Sequence, residues 1–477
     1  MNILFFLFAA CFCRQYHKLR KQPSNDKPQF DVGSWWTDTN GTFIQGHGGN
    51  IEHIDNYDCF NNGTKGCWVW HGEDKNQGTT GVHCYASTNL YVWEDKGFSL
   101  NIHNIVPERL NGLKNGIVPD LDNLRELKRR ANLPKANKRS TKRSDRPKIQ
   151  STSNNDVTDD DIDFARNFLK AYVTEIDKDG KYVKYDETNL IVGYRYLYKS
   201  YCIIERPKML YNKKYNNYVM LFHADGPNDQ QITDWLNSNM SYSLGGKYSR
   251  AMLGFAISNS PFGPFKIVNV QRMHWCEGCH TENPGMARDM GTYIDRNEED
   301  EDIAYAIYSS EENQYMYISR LDDTFTTWDV PQGEAKDGID FKSHLLGDKK
   351  SREAPAIFRH KGYYYLMTSG CTGWSPNPAT FHRSSMLFGP YEEVGNPCQG
   401  DGSDRTFDSQ STYFIRYNAE KGQFIYFGDR WWENDLPESR YVLLPVELDD
   451  KNHKFTLHYT EHWSLEDVFS SNSDDNE

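Results

Sequence analysis

Five short stretches of this sequence share a form: a polar residue opens each, and an apolar, strand-forming run follows. They read Ile44-Gln45-Gly46-His47-Gly48-Gly49, Glu205-Arg206-Pro207, Arg288-Asp289-Met290, Arg352-Glu353-Ala354-Pro355 and Phe407-Asp408-Ser409-Gln410-Ser411. Three of the five carry a carboxylate at the matching place. Gathering like charges out of water is costly, so such a cluster usually serves a task. Paired carboxyls suit the cleavage of a glycosidic bond, where one protonates the leaving oxygen and a second group activates water or attacks carbon. Each residue also has a structural alternative. Glu353 could be the ion-pair partner of an arginine, Asp289 a strand-end residue, Glu73 and Glu205 salt-bridge partners, and Gln410 a satisfied buried amide.

The elements that would position these residues repeat. A turn followed by an aromatic strand occurs as Lys65-Gly66-Cys67-Trp68-Val69-Trp70, Asn216-Asn217-Tyr218-Val219-Met220-Leu221, Glu301-Asp302-Ile303-Ala304-Tyr305, Lys361-Gly362-Tyr363-Tyr364-Tyr365 and Lys421-Gly422-Gln423-Phe424-Ile425-Tyr426. One of the five polar openings precedes each copy. A strand ending near Ser follows the first four, often with Gly-Pro-aromatic after it, as in Gly263-Pro264-Phe265 and Gly389-Pro390-Tyr391. Short alternating strands parted by turn residues and repeated five times predict an all-β, five-bladed β-propeller, expected to be built of four-stranded blades. A blade alone leaves an apolar face open, and packing blades around an axis closes it. The innermost strands then line a funnel where the five polar openings converge.

Aromatic residues make up 14% of the chain, which favours strands and also suits stacking on sugar rings. Trp374 and Trp431 are candidates for such a platform or for plain core. A formal charge of −13 argues against nucleic acid as partner. The apolar run Ile3–Cys13 is too short to span a bilayer and fits a signal peptide over 1–13, so export is expected, with no stable membrane span. Sequons at Asn40, Asn62 and Asn239 agree with that expectation. In an oxidising compartment Cys59 with Cys67, and Cys371 with Cys398, are the candidate disulfides. Cys84 sits in a strand as a buried free thiol. Cys276-Glu277-Gly278-Cys279 lies between His274 and His280, but a single Cys-x-x-Cys reads as a small disulfide loop rather than a zinc site.

Residues 125 to 148 carry eleven Lys or Arg, and Asp159-Asp160-Asp161 follows, so 101–194 is expected to be a basic, mostly disordered insertion between the first two blades. Apolar spacing over 162–176 predicts a short helix closing it. The propeller then occupies 30–100 and 195–465 as one catalytic domain, with an acidic tail over 466–477.

The chain resembles the galactan 1,3-β-galactosidase (exo-β-1,3-galactanase) branch of glycoside hydrolase family 43. The resemblance runs through Asp38-Thr39-Asn40-Gly41, Trp70-His71-Gly72-Glu73-Asp74-Lys75, Gly81-Val82-His83-Cys84-Tyr85 and Glu205-Arg206-Pro207-Lys208. It continues through Arg288-Asp289-Met290, Ser309-Ser310-Glu311, Arg352-Glu353-Ala354-Pro355, Ser369-Gly370-Cys371-Thr372-Gly373-Trp374, Thr406-Phe407-Asp408-Ser409-Gln410-Ser411-Thr412 and Gly428-Asp429-Arg430-Trp431. It implies exo-acting, inverting hydrolysis of β-1,3-linked, arabinogalactan-type galactan. It implies Glu353 as general acid, Asp289 as the neighbour that keeps it protonated and oriented, and Gln410 as the residue that holds the attacking water. Glu73, Glu205, Asn313 and Thr372 are implied to line the sugar site, and Trp374, Gln45 and Asp429 are counted with them. A neutral amide is a poor proton acceptor, so Asp408, two residues from Gln410, is kept as the alternative base. No cofactor is called for. The one ion the pattern would admit is a structural cation on the propeller axis near His47. The chain is expected to act as a monomer. Two other functions stay open: a family 43 arabinofuranosidase or xylosidase, and a non-catalytic sugar-binding propeller.

Overall fold

The computed structural model describes residues 28–77, 81–101, 173–176, 182–185, 203–228, 246–276, 284–296 and 301–470, with a few single positions between 230 and 299. The candidate signal peptide, most of the insertion, the end of the acidic tail, Asn239, Cys279 and His280 lie outside the described residues.

Residues 33–459 carry the β-propeller. Four sheets have four antiparallel strands each, in or reversed from chain order. The first is His47–Ile54, Cys67–Glu73, Gly81–Ser87 and Glu94–Asn101. The second is Ile203–Asn212, Asn217–Asp225, Met252–Ser258 and Lys266–Gln271. The third is Met290–Arg296, Asp302–Ser310, Tyr315–Arg320 and Phe341–Lys342, and the fourth is Arg352–His360, Tyr363–Gly370, Thr380–Ser384 and Glu392–Gly395. Tight turns join the first two strands of the second, fourth and fifth sheets. Lys361 and Gly362, for example, both take positive φ (43° and 81°), the two-residue turn whose twist matches that of the flanking strands.

The expectation of five four-stranded blades needs correction: six blade-like sheets are present. The fifth, Gln410–Asn418, Gln423–Arg430 and Arg440–Pro445, has three strands. The sixth is built from Cys398–Gln399, Lys454–His458 and Glu447–Asp449, and its first two strands pair in parallel. Its strands are short, the first lies far in the chain from the hairpin formed by the other two, and none carries the turn-plus-aromatic repeat, so counting repeats misses it. The first strands of the other five sheets pack against one another in a closed ring. That ring puts the five polar openings at the same end of five neighbouring strands.

Aromatic clusters weld neighbouring sheets. Trp70 of the first sheet packs against Phe427 and Tyr441 of the fifth at centroid distances of 5.4 and 4.7 Å, and its indole N–H donates to the Gly46 carbonyl at 2.8 Å. Phe358 of the fourth sheet meets Phe414 and Phe424 of the fifth and Phe455 of the sixth within 5.5 Å. Leu253, Phe255, Ala306 and Tyr308 join the second and third sheets, and Ile318, Ile357 and Leu366 the third and fourth.

Residues 28–32 and 460–470 form a separate small unit, in which Phe30–Asp31 pairs with His462–Trp463 and Phe30 packs on Trp463. Within the insertion, Val173–Ile176 pairs with Tyr182–Tyr185 as an antiparallel strand. The expected helix therefore does not extend over 173–176. The β-branched residues Val173, Thr174 and Ile176 favour extension there.

Cys59 is bonded to Cys67, and Cys276 is disulfide-bonded with a partner outside the described residues. Cys84 is a buried free thiol. The expected Cys371–Cys398 bridge is absent, and both are free. Cys398 is buried in the sixth sheet with its thiol turned to Thr406, whereas the exposed Cys371 directs its thiol to Glu353. Asn40 and Asn62 are exposed.

Phe358 is fully buried where three sheets meet. Phe358→Ala is expected to lower unfolding free energy by about 3–5 kcal/mol, as large-to-small changes at closed sites do, measured by chemical denaturation. A loss below about 1 kcal/mol would mean that the sheets are not welded at this point.

Candidate active site

The carboxylate-bearing ends of the inner strands are not regular. Register shifts interrupt four of the five: between His47 and Asn50, Glu205 and Lys208, Glu353 and Ala356, and Ser411 and Tyr413. In three of them the residue after the polar opening takes a left-handed conformation: Gly48 (φ 62°), Arg206 (53°) and Ala354 (53°). A β-bulge bends the strand and re-aims a side chain, and it is one of the few places in a sheet that tolerates proline. Pro207 and Pro355 occupy those places, so Glu205-Arg206-Pro207 and Glu353-Ala354-Pro355 are the same device on two sheets. At Gly48 a Cβ would lie 2.2 Å from Glu73 Oε1 and would have to displace that buried carboxylate.

The bulged ends enclose a cavity of about 240 Å³ lined by Glu73, Glu205, Asp289, Asn313, Glu353, Trp374 and Gln410. Seven of the residues expected at the site are thus brought together. Gln410 donates from Nε2 to Glu353 Oε1 at 3.0 Å and to Ser369 Oγ at 2.9 Å. Its Oε1 accepts from Trp431 Nε1 at 2.9 Å and from the Arg206 guanidinium. Arg206 also pairs with Asp289 at 2.9 Å and donates to the Ser411 carbonyl, while its backbone N–H donates to Glu73 Oε1 at 2.9 Å. Glu73 is ion-paired with Lys75. Glu205 accepts from Tyr248 OH at 2.7 Å and faces His223 at 3.5 Å, and His223 is bonded in turn to Asp225 at 2.8 Å. The Asn313 carboxamide oxygen is buried without a protein hydrogen-bond partner, on a turn where Glu311, Glu312 and Asn313 all take positive φ. An acceptor held in that way suits a ligand hydroxyl.

The carboxyls are driven apart in acidity. Burial and the nearby Asp289 charge push Glu353 up to about 7, against the pull of Arg206 and its hydrogen bonds to Cys371 and Gln410. Burial works against ionised Glu205, but hydrogen bonding to His223 and the Lys75 charge overcome it and bring it down to about 2. Burial disfavours the His223 cation, yet Asp225 and Glu205 lift it to about 10. Burial raises Glu73, and Lys75 opposes that rise. One lining carboxyl is therefore poised to carry a proton at neutral pH while another is held ionised, the usual sign of divided acid and electrostatic roles.

Three expected ligand contacts lie outside the cavity lining. Gln45 is tied below it, donating to the Pro437 carbonyl and accepting from the Lys75 N–H. Asp429 is fully buried, holding His47 at 3.1 Å and the Gly48 N–H at 2.8 Å, and so supports the bulge. The Thr372 hydroxyl donates to the Ser375 carbonyl and accepts from Asn377, shaping the turn that presents Trp374. Asp408, the alternative base, is half exposed and paired with Arg405 at 2.7 Å, away from the cavity. Gln410, expected to hold the attacking water, touches the acid directly through its amide N–H.

As for a cation near His47, both ring nitrogens face protein partners, Asp429 and Tyr441 at 3.1 and 3.3 Å. The buried Lys208 ammonium lies against the Gly48 carbonyl nearby, its pKa lowered to about 7 by burial and by Arg206. Among the described residues no group of three or more His, Cys, Asp or Glu is arranged to hold a metal.

Sequence reasoning named no role for Arg206, Lys75, His223, Tyr248 or Arg288, which also line the cavity. Arg206, Lys75 and Arg288 could have been found, because each lies within two positions of a candidate carboxylate inside a quoted motif. Tyr248 lies in a stretch without any repeat signal. Trp431 forms part of the wall, edge-on to Trp374 at 5.1 Å, and Lys75 Nζ lies over both rings at 5.2 and 5.5 Å.

No protein-family model matches the chain, and no curated protein does. Solved structures do. A family 43 β-1,3-galactosidase with galactodeoxynojirimycin is 24% identical over 91% of this chain and 100% of its own, with a TM-score of 0.56. An exo-β-1,3-galactanase from Phanerochaete chrysosporium with galactose is 22% identical, covering 91% and 68%, with a TM-score of 0.55. Another from Clostridium thermocellum is 22% identical, covering 91% and 66%, with a TM-score of 0.56. These likenesses establish a shared fold.

Arg206 is expected to be the electrostatic centre of the cavity. Removing one member of a buried ion pair strands its partner, at a cost of about 3–5 kcal/mol. Arg206→Met should destabilise the fold by that order in chemical denaturation, and adding Asp289→Asn should recover part of the loss. Strict additivity of the two changes would show that the pair is not coupled.

Proposed function

We propose that this chain is an exo-acting glycoside hydrolase of family 43, in the galactan 1,3-β-galactosidase branch, releasing galactose from β-1,3-linked galactan with inversion. The observation that carries the proposal is Glu353: a carboxyl lifted to about 7 in a cavity shared with Asp289, Glu205 and Glu73. A group with that acidity can donate a proton to a glycosidic oxygen at neutral pH. At about 240 Å³ the cavity is smaller than the roughly 300–1,000 Å³ of typical ligand sites, which favours gripping a chain end over threading a polymer. The structural neighbours, a β-1,3-galactosidase with galactodeoxynojirimycin and an exo-β-1,3-galactanase with galactose, favour galactose over arabinose or xylose as the sugar gripped.

In this mechanism Glu353 is the acid, and Asp289, clamped by Arg206, sustains the pressure that keeps it protonated. Gln410 orients Glu353 through its amide N–H. To hold the attacking water as well, Gln410 Oε1 must exchange one of its two donors, Arg206 or Trp431, for a water hydrogen. A second reading has its own observation: Glu205 is a lining carboxylate kept ionised, and it projects from a different sheet. Asn313 and Glu73 offer acceptors for sugar hydroxyls, and Trp374 with Trp431 a wall for the ring. The disulfides and the exposed Asn40 and Asn62 support an exported, glycosylated protein.

Glu353→Gln is expected to cut turnover of β-1,3-galactobiose by about 10²–10⁴-fold while sugar binding persists, since the amide keeps the shape but cannot act as the acid. Near-normal turnover would refute the assignment. Arabinan and xylan oligomers serve as controls and should not be cleaved. Proton NMR of the first-formed product should show α-galactose. β-Galactose would mean retention, with a nucleophile about 5–5.5 Å from the acid. If Gln410→Ala abolishes hydrolysis while Glu205→Gln only weakens binding, the water belongs to Gln410. The reverse result assigns it to Glu205.

A further inference from the structure

The five polar openings have a second set of counterparts. Six residues beyond His47, Glu205, Asp289, Glu353 and Gln410 along their strands stand His53, Tyr211, Asp295, Arg359 and Arg416. All five line one cavity of about 700 Å³ at the other end of the inner ring. Six residues at about 3.3 Å each put that cavity ~20 Å from the first. Its volume falls well inside the roughly 300–1,000 Å³ range of ligand sites, unlike that of the catalytic cavity.

Its lining has a consistent chemistry. Arg416 pairs with Glu52, Arg359 with Asp295, and Lys213 with Asp302, at 3.2 to 3.3 Å. In each pair the carboxylate is recessed, at 14%, 19% and 9% exposure, and the cation stands at the mouth, at 38%, 45% and 52%. The charges of these pairs cancel, so they set up no net attraction for an ion. They present fixed acceptors beside fixed donors, a pattern that matches the vicinal hydroxyls of a neutral sugar. Tyr211 and Tyr293 in the same wall supply aromatic surface of the kind that takes sugar C–H faces.

We infer that the mouth opposite the catalytic cavity is a second saccharide-binding site, taking a neutral oligosaccharide of the same class as the substrate. The choice of oligosaccharide rests on the proposed function; the site itself rests on the second ring of residues. Binding there would hold the enzyme on a branched polymer while the catalytic cavity works on a chain end.

The test is a calorimetric titration of full-length Glu353→Gln protein with β-1,3-galactotriose. Two binding events are expected. Adding Arg359→Ala or Lys213→Ala, both at the exposed rim, should weaken one event by about tenfold or more, as loss of a charged hydrogen-bond donor does, and leave the other unchanged. In the Glu353-intact background the same rim variants should hydrolyse galactobiose at the normal rate. A single event lost with Glu205→Gln, a second event indifferent to both rim variants, or no binding at all would overturn the inference. So would binding of citrate or inorganic phosphate at the rim without galactotriose, which would mark an anion site. One event lost only with the rim variants would leave this site standing and refute the proposed catalytic site instead.

Discussion

The candidate active site of this propeller depends on one guanidinium. Arg206 follows a candidate carboxylate on a bulge, and from there it holds Asp289, the Gln410 oxygen and the Ser411 carbonyl, while its own backbone N–H holds Glu73. Those partners come from the first and fifth sheets and from the lead into the third, while Arg206 itself belongs to the second. Burying so many acidic groups together would be prohibitive without a fixed positive charge among them. With Arg206 in place the cluster can be dry, and burial then lifts Glu353, whose rise the guanidinium opposes without pairing with it as it does with Asp289.

The ring of inner strands turns this local arrangement into a site. Each sheet delivers one short polar segment, and the bulges re-aim it at a cost that the closed ring absorbs. Trp70 closes the ring where first and last repeats meet, and Phe358 welds the fourth sheet to the fifth and sixth. The same five strands carry a second polar set six residues on, so one architecture serves two mouths.

Much of this was legible because it repeats. The turn-plus-aromatic pattern located the strands, and the polar openings located Glu353, Asp289, Glu205 and Gln410, all of which line the cavity. What stayed hidden lacks periodicity or depends on long-range partners. The sixth sheet joins Cys398–Gln399 to strands some fifty residues later, a parallel pairing that no local pattern announces. Cys371 and Cys398 fit a bridge by count, yet one thiol turns to Glu353 and the other to Thr406. Thr372, Gln45 and Asp429 belong to motifs that do reach the site, but their polar atoms are spent on neighbouring backbone and side chains. Motif membership does not say whether a residue touches the ligand or holds up one that does.

In the proposed mechanism Glu353 carries the catalytic proton near neutral pH because of its burial and the Asp289 charge. A carboxyl raised to about 7 is a competent acid below that pH and loses its proton as pH rises through it. The direct measurement is the pH dependence of kcat/KM on β-1,3-galactobiose, which reports groups of the free enzyme, for the wild type and for Asp289→Asn. The expected result is an alkaline limb near pH 7 that moves to lower pH in the variant, where burial remains but the Asp289 charge is gone. A limb that stays in place or moves upward would contradict it.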